Sequence, residues 1–137
     1  MIPNAIALPL LCDAFETTGQ TLLSVMQVPG ADISKYGVII QGDTPGAVAG
    51  IVEKPSVEEA PSDMASIGRY ILTPDIFDVL RDLPAGSGGE IQLADAINIQ
   101  AQRGNVNAVH STALRFDCGS VDGFLEAISH VSNLRRS

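Results

Sequence analysis

Tryptophan is absent, and histidine and cysteine occur twice each. Cys12 and Cys118 lie far apart with no CxxC pair, so neither a disulfide framework nor a zinc site is suggested. A reduced, cytosolic setting is the simplest reading. No apolar run approaches the ~20 residues that a membrane span needs. The short apolar stretch from Met1 to Leu11 lacks a basic leading region, which argues against a secretory signal. Positive charge is scarce too: 8 basic residues stand against 16 acidic ones, a formal net charge of −8. A surface of that sign repels phosphate backbones, so nucleic acid is not an expected partner. An anionic small substrate would have to be met by a few well-placed cations.

Internal repeats, low-complexity tracts and the familiar phosphate loops are also missing. Gly86-Ser87-Gly88-Gly89 precedes a helical pattern but has neither the GxGxxG nor the Walker spacing, and reads as a solvated connector. His110 and His130 have no carboxylate at ligand spacing and read as surface or structural residues. Ser111, Ser120 and Ser132 sit in no nucleophile-elbow context, so nothing argues for a hydrolase.

What is present suits one α/β domain. A chain of 137 residues with 45% hydrophobic content can bury a sizeable core. Asn4 to Thr18 reads as an amphipathic helix with Leu8, Leu11 and Phe15 on one stripe and Gly19 as its stop. Strands are expected over Thr21–Val28, Tyr36–Ile40 and Ala47–Val52, the last two joined by a turn around Gly42 to Gly46. Ser56 to Asp63 reads as an exposed loop, and Ser66–Leu72 as a further strand. Thr73 is placed to cap a helix that starts at Pro74 and buries Ile76, Phe77, Val79 and Leu80. Glu90–Gln102 shows apolar steps at Ile91, Ala94, Ile97 and Ala101, closed by Gly104. Two short strands, Val106–His110 and Ala113–Phe116, precede a last helix capped by Ser120 and running to about Val131. Because two consecutive strands share a tight turn, a mixed sheet covered by helices is expected over a purely parallel one.

Two places carry charge where an α/β fold presents ligands. In Val52-Glu53-Lys54-Pro55, charges follow a hydrophobic strand and proline stops it; strand ends of this kind face ligand crevices. A carboxylate there suits two sugar hydroxyls, and the adjacent ammonium suits a phosphate. Taken alone, however, the pair reads as solvated charge at a strand end. In Phe116-Asp117-Cys118-Gly119, Asp117 is a turn former, a helix cap or a ligand for a divalent metal. Alone, the turn is the simpler reading.

Order changes the weight of these fragments. Lys35-Tyr36-Gly37-Val38-Ile39, Gly50-Ile51-Val52-Glu53-Lys54-Pro55, Ala60-Pro61-Ser62, Ile67-Gly68-Arg69-Tyr70-Ile71-Leu72, Gly89-Glu90-Ile91-Gln92-Leu93-Ala94-Asp95-Ala96-Ile97 and Asp117-Cys118-Gly119 follow one another in register. Together they closely resemble the bacterial UTP–glucose-1-phosphate uridylyltransferase family from about Asn4 to Val131. The Asp-Cys-Gly string and the Glu-Ile-Gln-Leu helix start are more similar to uridylyltransferases than to the related thymidylyl- or adenylyltransferases.

The resemblance implies the later part of a Rossmann-like nucleotidyltransferase fold, with residues 1–137 as a single sugar-phosphate-binding domain. It also implies in-line attack by glucose 1-phosphate on the α-phosphorus of UTP, forming UDP-glucose and pyrophosphate with magnesium bridging the phosphates. By matching position, Glu53 would grip glucose hydroxyls and Lys54, the expected catalytic cation, would pair with the sugar phosphate. Gly37 would offer backbone contact, Gly68 and Tyr70 would line the pocket, and Asp117 would bind Mg2+. Family members open with a glycine-rich segment of the type GxGTRxxPxTK, and an upstream strand end carries their other metal-binding aspartate. These residues contain neither. The expectation is therefore that the nucleotide-binding half is absent, that UTP is bound only with that half, and that the isolated chain is inactive. Self-association is expected from apolar surface left uncovered. A non-catalytic sugar-phosphate-binding or oligomerisation module, a related thymidylyl- or adenylyltransferase and an idle globular remnant are the competing readings.

Overall fold

The structure, a computed structural model, describes residues 7–86 and 89–136. Asn4 to Ile6 of the expected first helix, and Ser87 and Gly88 of the connector, lie outside them. A five-stranded sheet runs in the order β3-β2-β4-β1-β5. Its strands are β1 (Thr21–Gln27), β2 (Gly37–Gln41), β3 (Val48–Glu53), β4 (Met64–Ile71) and β5 (Val106–His110). Only β1 and β5 pair in parallel; β1–β4, β2–β4 and β2–β3 are antiparallel, so the sheet is mixed as expected.

The helices are α1 (Ala7–Thr18), α2 (Ile76–Asp82), α3 (Leu93–Gln102) and α4 (Val121–Arg136). Alternation along β1 sends Leu23 and Val25 to one face, where they pack with Ile39, Ile51, Ile97, Ala101 and Val106 in the main core. That face is covered by α3, with α2 packed against α3 through Ile76, Val79 and Ala96. The other face of β1 meets α1, whose Leu11 is wholly buried. Burying a leucine such as Leu11 or Leu23 contributes roughly 1.5–3 kcal/mol. The end of α1 is the expected one: the Gly19 N–H donates to the Phe15 carbonyl at 2.8 Å.

Several local expectations are corrected. Thr73 does not cap α2, because its hydroxyl is buried and committed elsewhere: it accepts from Gln100 Nε2 at 2.9 Å and lies 3.1 Å from the Thr21 hydroxyl. Leu8, Phe77 and Ile91 point outward, at 57%, 64% and 51% exposure. Helical spacing predicted them buried. The helix expected from Glu90 begins only at Leu93, which leaves Ile91 in the preceding loop. Among the described residues the faces of Leu8 and Phe77 are left open. Residues 113–116 are irregular rather than extended into a strand. Ser120 does cap α4, accepting the Gly123 N–H at 3.1 Å, and that helix runs on to Arg136.

The edge of the sheet is finished by a side chain. Ile51 of β3 donates to Asn98 Oδ1 at 2.7 Å and accepts from Asn98 Nδ2 at 3.0 Å. The amide stands in for a neighbouring strand, satisfying backbone groups an edge would leave open. It thereby pins the C-terminal half of β3, two residues before Glu53.

Candidate functional site

Register builds the site. Gly37 is the first residue of β2 and stands between Glu53 of β3 and Ser66 of β4, so these three share one row across the sheet. Pairing of β2 with β4 then stops after Gly37–Ser66 and Val38–Ala65, while β4 runs on to Ile71. The step leaves a notch at the start of β2. Within it, β4 bulges. Leu23 pairs with Tyr70 and Val25 with Ser66, so Ile67, Gly68 and Arg69 all fall opposite the single residue Ser24. Gly68 takes φ +73° at the crest, a conformation glycine adopts without a Cβ penalty.

A cavity of about 230 Å³ fills the notch, lined by Lys35, Tyr36, Gly37, Ile51, Glu53, Ser66, Ile67, Gly68, Tyr70 and Arg115. A Cβ at Gly37 would sit 2.9 Å from Glu53 Oε2 and 2.9 Å from Ile51 Cδ1, so glycine is what keeps the carboxylate against the strand. Ser66 Oγ donates to Tyr70 Oη at 3.3 Å. Gly37, Glu53, Gly68 and Tyr70, named from the sequence, thus share one cavity. Its mixture of carboxylate, hydroxyls and aromatic ring is suited to a small polyhydroxylated ligand.

Lys54 and Asp117 stand beside this cavity rather than in its lining. Lys54 donates its backbone N–H to the Tyr36 carbonyl at 3.0 Å, then takes φ +46°, the only positive φ of a non-glycine residue among the described residues. Such backbone costs of order 1 kcal/mol or more and gathers at functional sites. It turns the chain out of the strand between Glu53 and the buried Pro55. Asp117 is exposed, and its Oδ1 accepts the Gly119 N–H at 3.1 Å in the turn that leads into α4. The turn role read from the residue alone is therefore real.

Two cations on this rim were given no site role by the sequence, although Lys35 opens one of the strings that carry the resemblance. Lys35 forms an ion pair with Asp32 at 2.7 Å across the 3-10 helix Gly30–Lys35. The Asp32 hydrogen bond and charge hold its ammonium above the ordinary lysine value, with smaller contributions from Tyr36 and Asp117. Arg115 donates from Nη1 to Tyr36 Oη at 3.0 Å, and its guanidinium carbon lies 5.1 Å from the Tyr36 ring centroid. Only the folded register brings residue 115 to residue 36.

For a metal, the donor set is spare. No group of three or more His, Cys, Asp or Glu side chains converges among the described residues. Asp117 offers one hard oxygen ligand, which fits Mg2+ as a partial site; this ion is usually held by one or two carboxylates together with substrate phosphates.

The family model of the nucleotidyl transferases matches residues 5–133. The chain belongs to the nucleotidyl transferase family. It is 49% identical over 110 residues to a UTP–glucose-1-phosphate uridylyltransferase of Pseudomonas aeruginosa, covering 78% of this chain and 39% of that protein. It is also similar to the crystal structure of an apo UDP-glucose pyrophosphorylase, with a TM-score of 0.88 and 36% identity, covering 98% of this chain and 50% of the other. A UDP-glucose pyrophosphorylase complexed with UDP-glucose is similar at TM-score 0.85 and 35% identity, over 97% of this chain and 52% of that one. The chain thus spans about half the length of these relatives or less. The mixed sheet with its helices, expected from the sequence pattern, is the nucleotidyltransferase-like fold that the family resemblance implied.

Proposed function

We propose that this chain supplies the sugar-phosphate-binding part of a UTP–glucose-1-phosphate uridylyltransferase, which makes UDP-glucose and pyrophosphate from UTP and glucose 1-phosphate. The observation that carries this reading is the convergence of Gly37, Glu53, Gly68 and Tyr70 on one notch. It is supported by the likeness to a pyrophosphorylase complexed with UDP-glucose. Glu53 accepts hydrogen bonds from glucose hydroxyls, and Gly37 lets the sugar lie close to the backbone beside it. Tyr70 and Gly68 close the far wall. Lys54, directed out of the strand by its left-handed backbone, offsets phosphate charge from the rim. The phosphate oxygen of the bound sugar attacks the α-phosphorus of UTP in line, so the protein's task is to orient one anion toward another.

Asp117 would be one protein ligand of Mg2+, which when bound offsets charge on the reacting phosphates. UTP is bound by residues outside this set, since the 137 residues include no GxGTRxxPxTK segment. The exposed Val121, Phe124, Leu125 and Ile128 of α4 support self-association. A cytoplasmic setting is supported by free, exposed Cys12 and Cys118 and by the lack, among the described residues, of a helix long and apolar enough to cross a membrane.

The test uses a polypeptide that joins these residues to a nucleotide-binding segment of the family. It should form UDP-glucose from UTP, Mg2+ and glucose 1-phosphate. Asp117→Asn keeps the turn-forming oxygen but removes the charge a hard cation requires. Its turnover should fall by orders of magnitude with an unchanged thermal melt. Full activity with an unchanged magnesium requirement would remove Asp117 from the metal site.

A further inference from the structure

Arg115 is a half-buried guanidinium that meets no counter-charge among the described residues. The ion pairs among the described residues are Lys35–Asp32 and Arg81–Asp78; neither involves Arg115. It meets the hydroxyl and ring of Tyr36, both neutral. A cation drawn partly out of water and left with neutral neighbours retains donors and charge for an anion. The hold is also geometric. Its place over the Tyr36 ring and the bond from Nη1 restrain the guanidinium, so less side-chain freedom is lost when the remaining donors are used.

Its position says which anion. Arg115 lines the notch cavity with Gly37 and Glu53, and it also lines the adjoining one, with Gly68, Arg69, Phe116 and Cys118. It is therefore the cation at the junction between the sugar pocket and the turn that carries Asp117. Lys35, Arg69 and Arg115, three of the chain's eight basic residues, line these two cavities in a molecule of net charge −8. A local positive rim on an acidic surface concentrates anions where the cations are.

We infer that Arg115 is an anion-binding residue that takes the phosphate of the sugar phosphate, with Tyr36 as the residue that positions it. This rests on reading the notch as a sugar-phosphate pocket. Glu53 then holds the hydroxyl end of the ligand while Arg115 holds the phosphate end, and the two act on different groups of one molecule. Planar, two-pronged donation to phosphate oxygens is what guanidinium does and ammonium does not.

The experiment is a titration of the 137-residue chain with glucose 1-phosphate, glucose and inorganic phosphate, followed by amide chemical shifts in wild type, Arg115→Gln and Arg115→Lys. Arg115→Gln should weaken glucose 1-phosphate binding about ten- to hundredfold and leave glucose binding unchanged. Arg115→Lys should recover part of that loss, and inorganic phosphate should respond to the charge as the sugar phosphate does. Glucose 1-phosphate binding within twofold of wild type in Arg115→Gln would overturn the inference and leave the pocket reading intact. Equal loss of glucose and glucose 1-phosphate in Arg115→Gln would overturn it as well, by making Arg115 a structural clamp. If wild type binds neither sugar, the pocket reading falls, and this inference with it.

Discussion

Two polar clusters lie on the same sheet and are built on opposite principles. At the start of β1, Thr21, Thr73 and Gln100 are buried and bonded to one another. The Thr21 hydroxyl donates to Gln100 Oε1 at 2.7 Å and accepts the Thr73 N–H at 3.1 Å, while Gln100 Nε2 donates to Thr73 and to Asp75. At the start of β2, Glu53 and Arg115 flank a cavity and take part in none of the ion pairs found among the described residues. A closed network uses its donors and acceptors on itself and fixes the fold. An open one keeps them for something that arrives. Polarity alone does not mark a site; polarity left unspent inside a concave surface does.

The largest effect should come from breaking the closed cluster. Gln100→Leu fills similar volume but removes the acceptor of the Thr21 hydroxyl and the donor to Thr73 and Asp75. The two buried hydroxyls are left only each other and the Thr73 N–H. Each buried hydrogen-bonding position left unmet costs about 1–3 kcal/mol. Denaturant unfolding should show a loss of about 3 kcal/mol, with sugar-phosphate affinity of the folded fraction little changed. A loss below 1 kcal/mol would mean that the network is relaxed by water and is not closed.

Gly37→Ala breaks the open cluster instead. The new Cβ would meet the ends of two side chains, Glu53 Oε2 and Ile51 Cδ1, each at 2.9 Å, so both must shift. Overpacking of this size costs about 1–2 kcal/mol. Glucose 1-phosphate affinity should fall more than tenfold, since the carboxylate is pushed from the strand and the notch is narrowed. Wild-type affinity in Gly37→Ala would show that the ligand does not approach the backbone there.

Acid should separate the clusters more gently. Hydrogen bonds from Thr73 and then Gln100 hold the Asp75 carboxyl below its ordinary value of 3.8. A depressed native pKa favours the fold above the unfolded-state value, and that contribution is lost as pH falls through the native one. Thermal melts should therefore decline below about pH 4, and Asp75→Asn should show a shallower decline over that window. Asp75 is only partly buried, so this effect is the smallest of the three. A parallel decline in both proteins would detach Asp75 from the closed cluster.

All five strands were legible, within about two residues at each end, because alternation and turn residues are local signals. The strand expected over Ala113–Phe116 was not: the segment is irregular and carries Arg115 onto Tyr36. Thr73 has the look of a cap, and only the arrival of Gln100 from the far side of the chain gives its hydroxyl another role. Gly37, Glu53, Gly68 and Tyr70 were legible through a family resemblance rather than through their own spacing. Ser66 and Arg115 were not legible at all. Ser66 enters by strand register and Arg115 by a contact across 79 positions, and neither leaves a trace in a linear pattern.

The most direct test of the notch as a sugar-phosphate site is an amide chemical-shift map of the 137-residue chain titrated with glucose 1-phosphate. Shifts should concentrate at Gly37, Glu53, Ser66 to Tyr70 and Arg115, and leave Thr21, Thr73 and Gln100 unmoved. Saturable shifts centred elsewhere, or none at millimolar ligand, would contradict it.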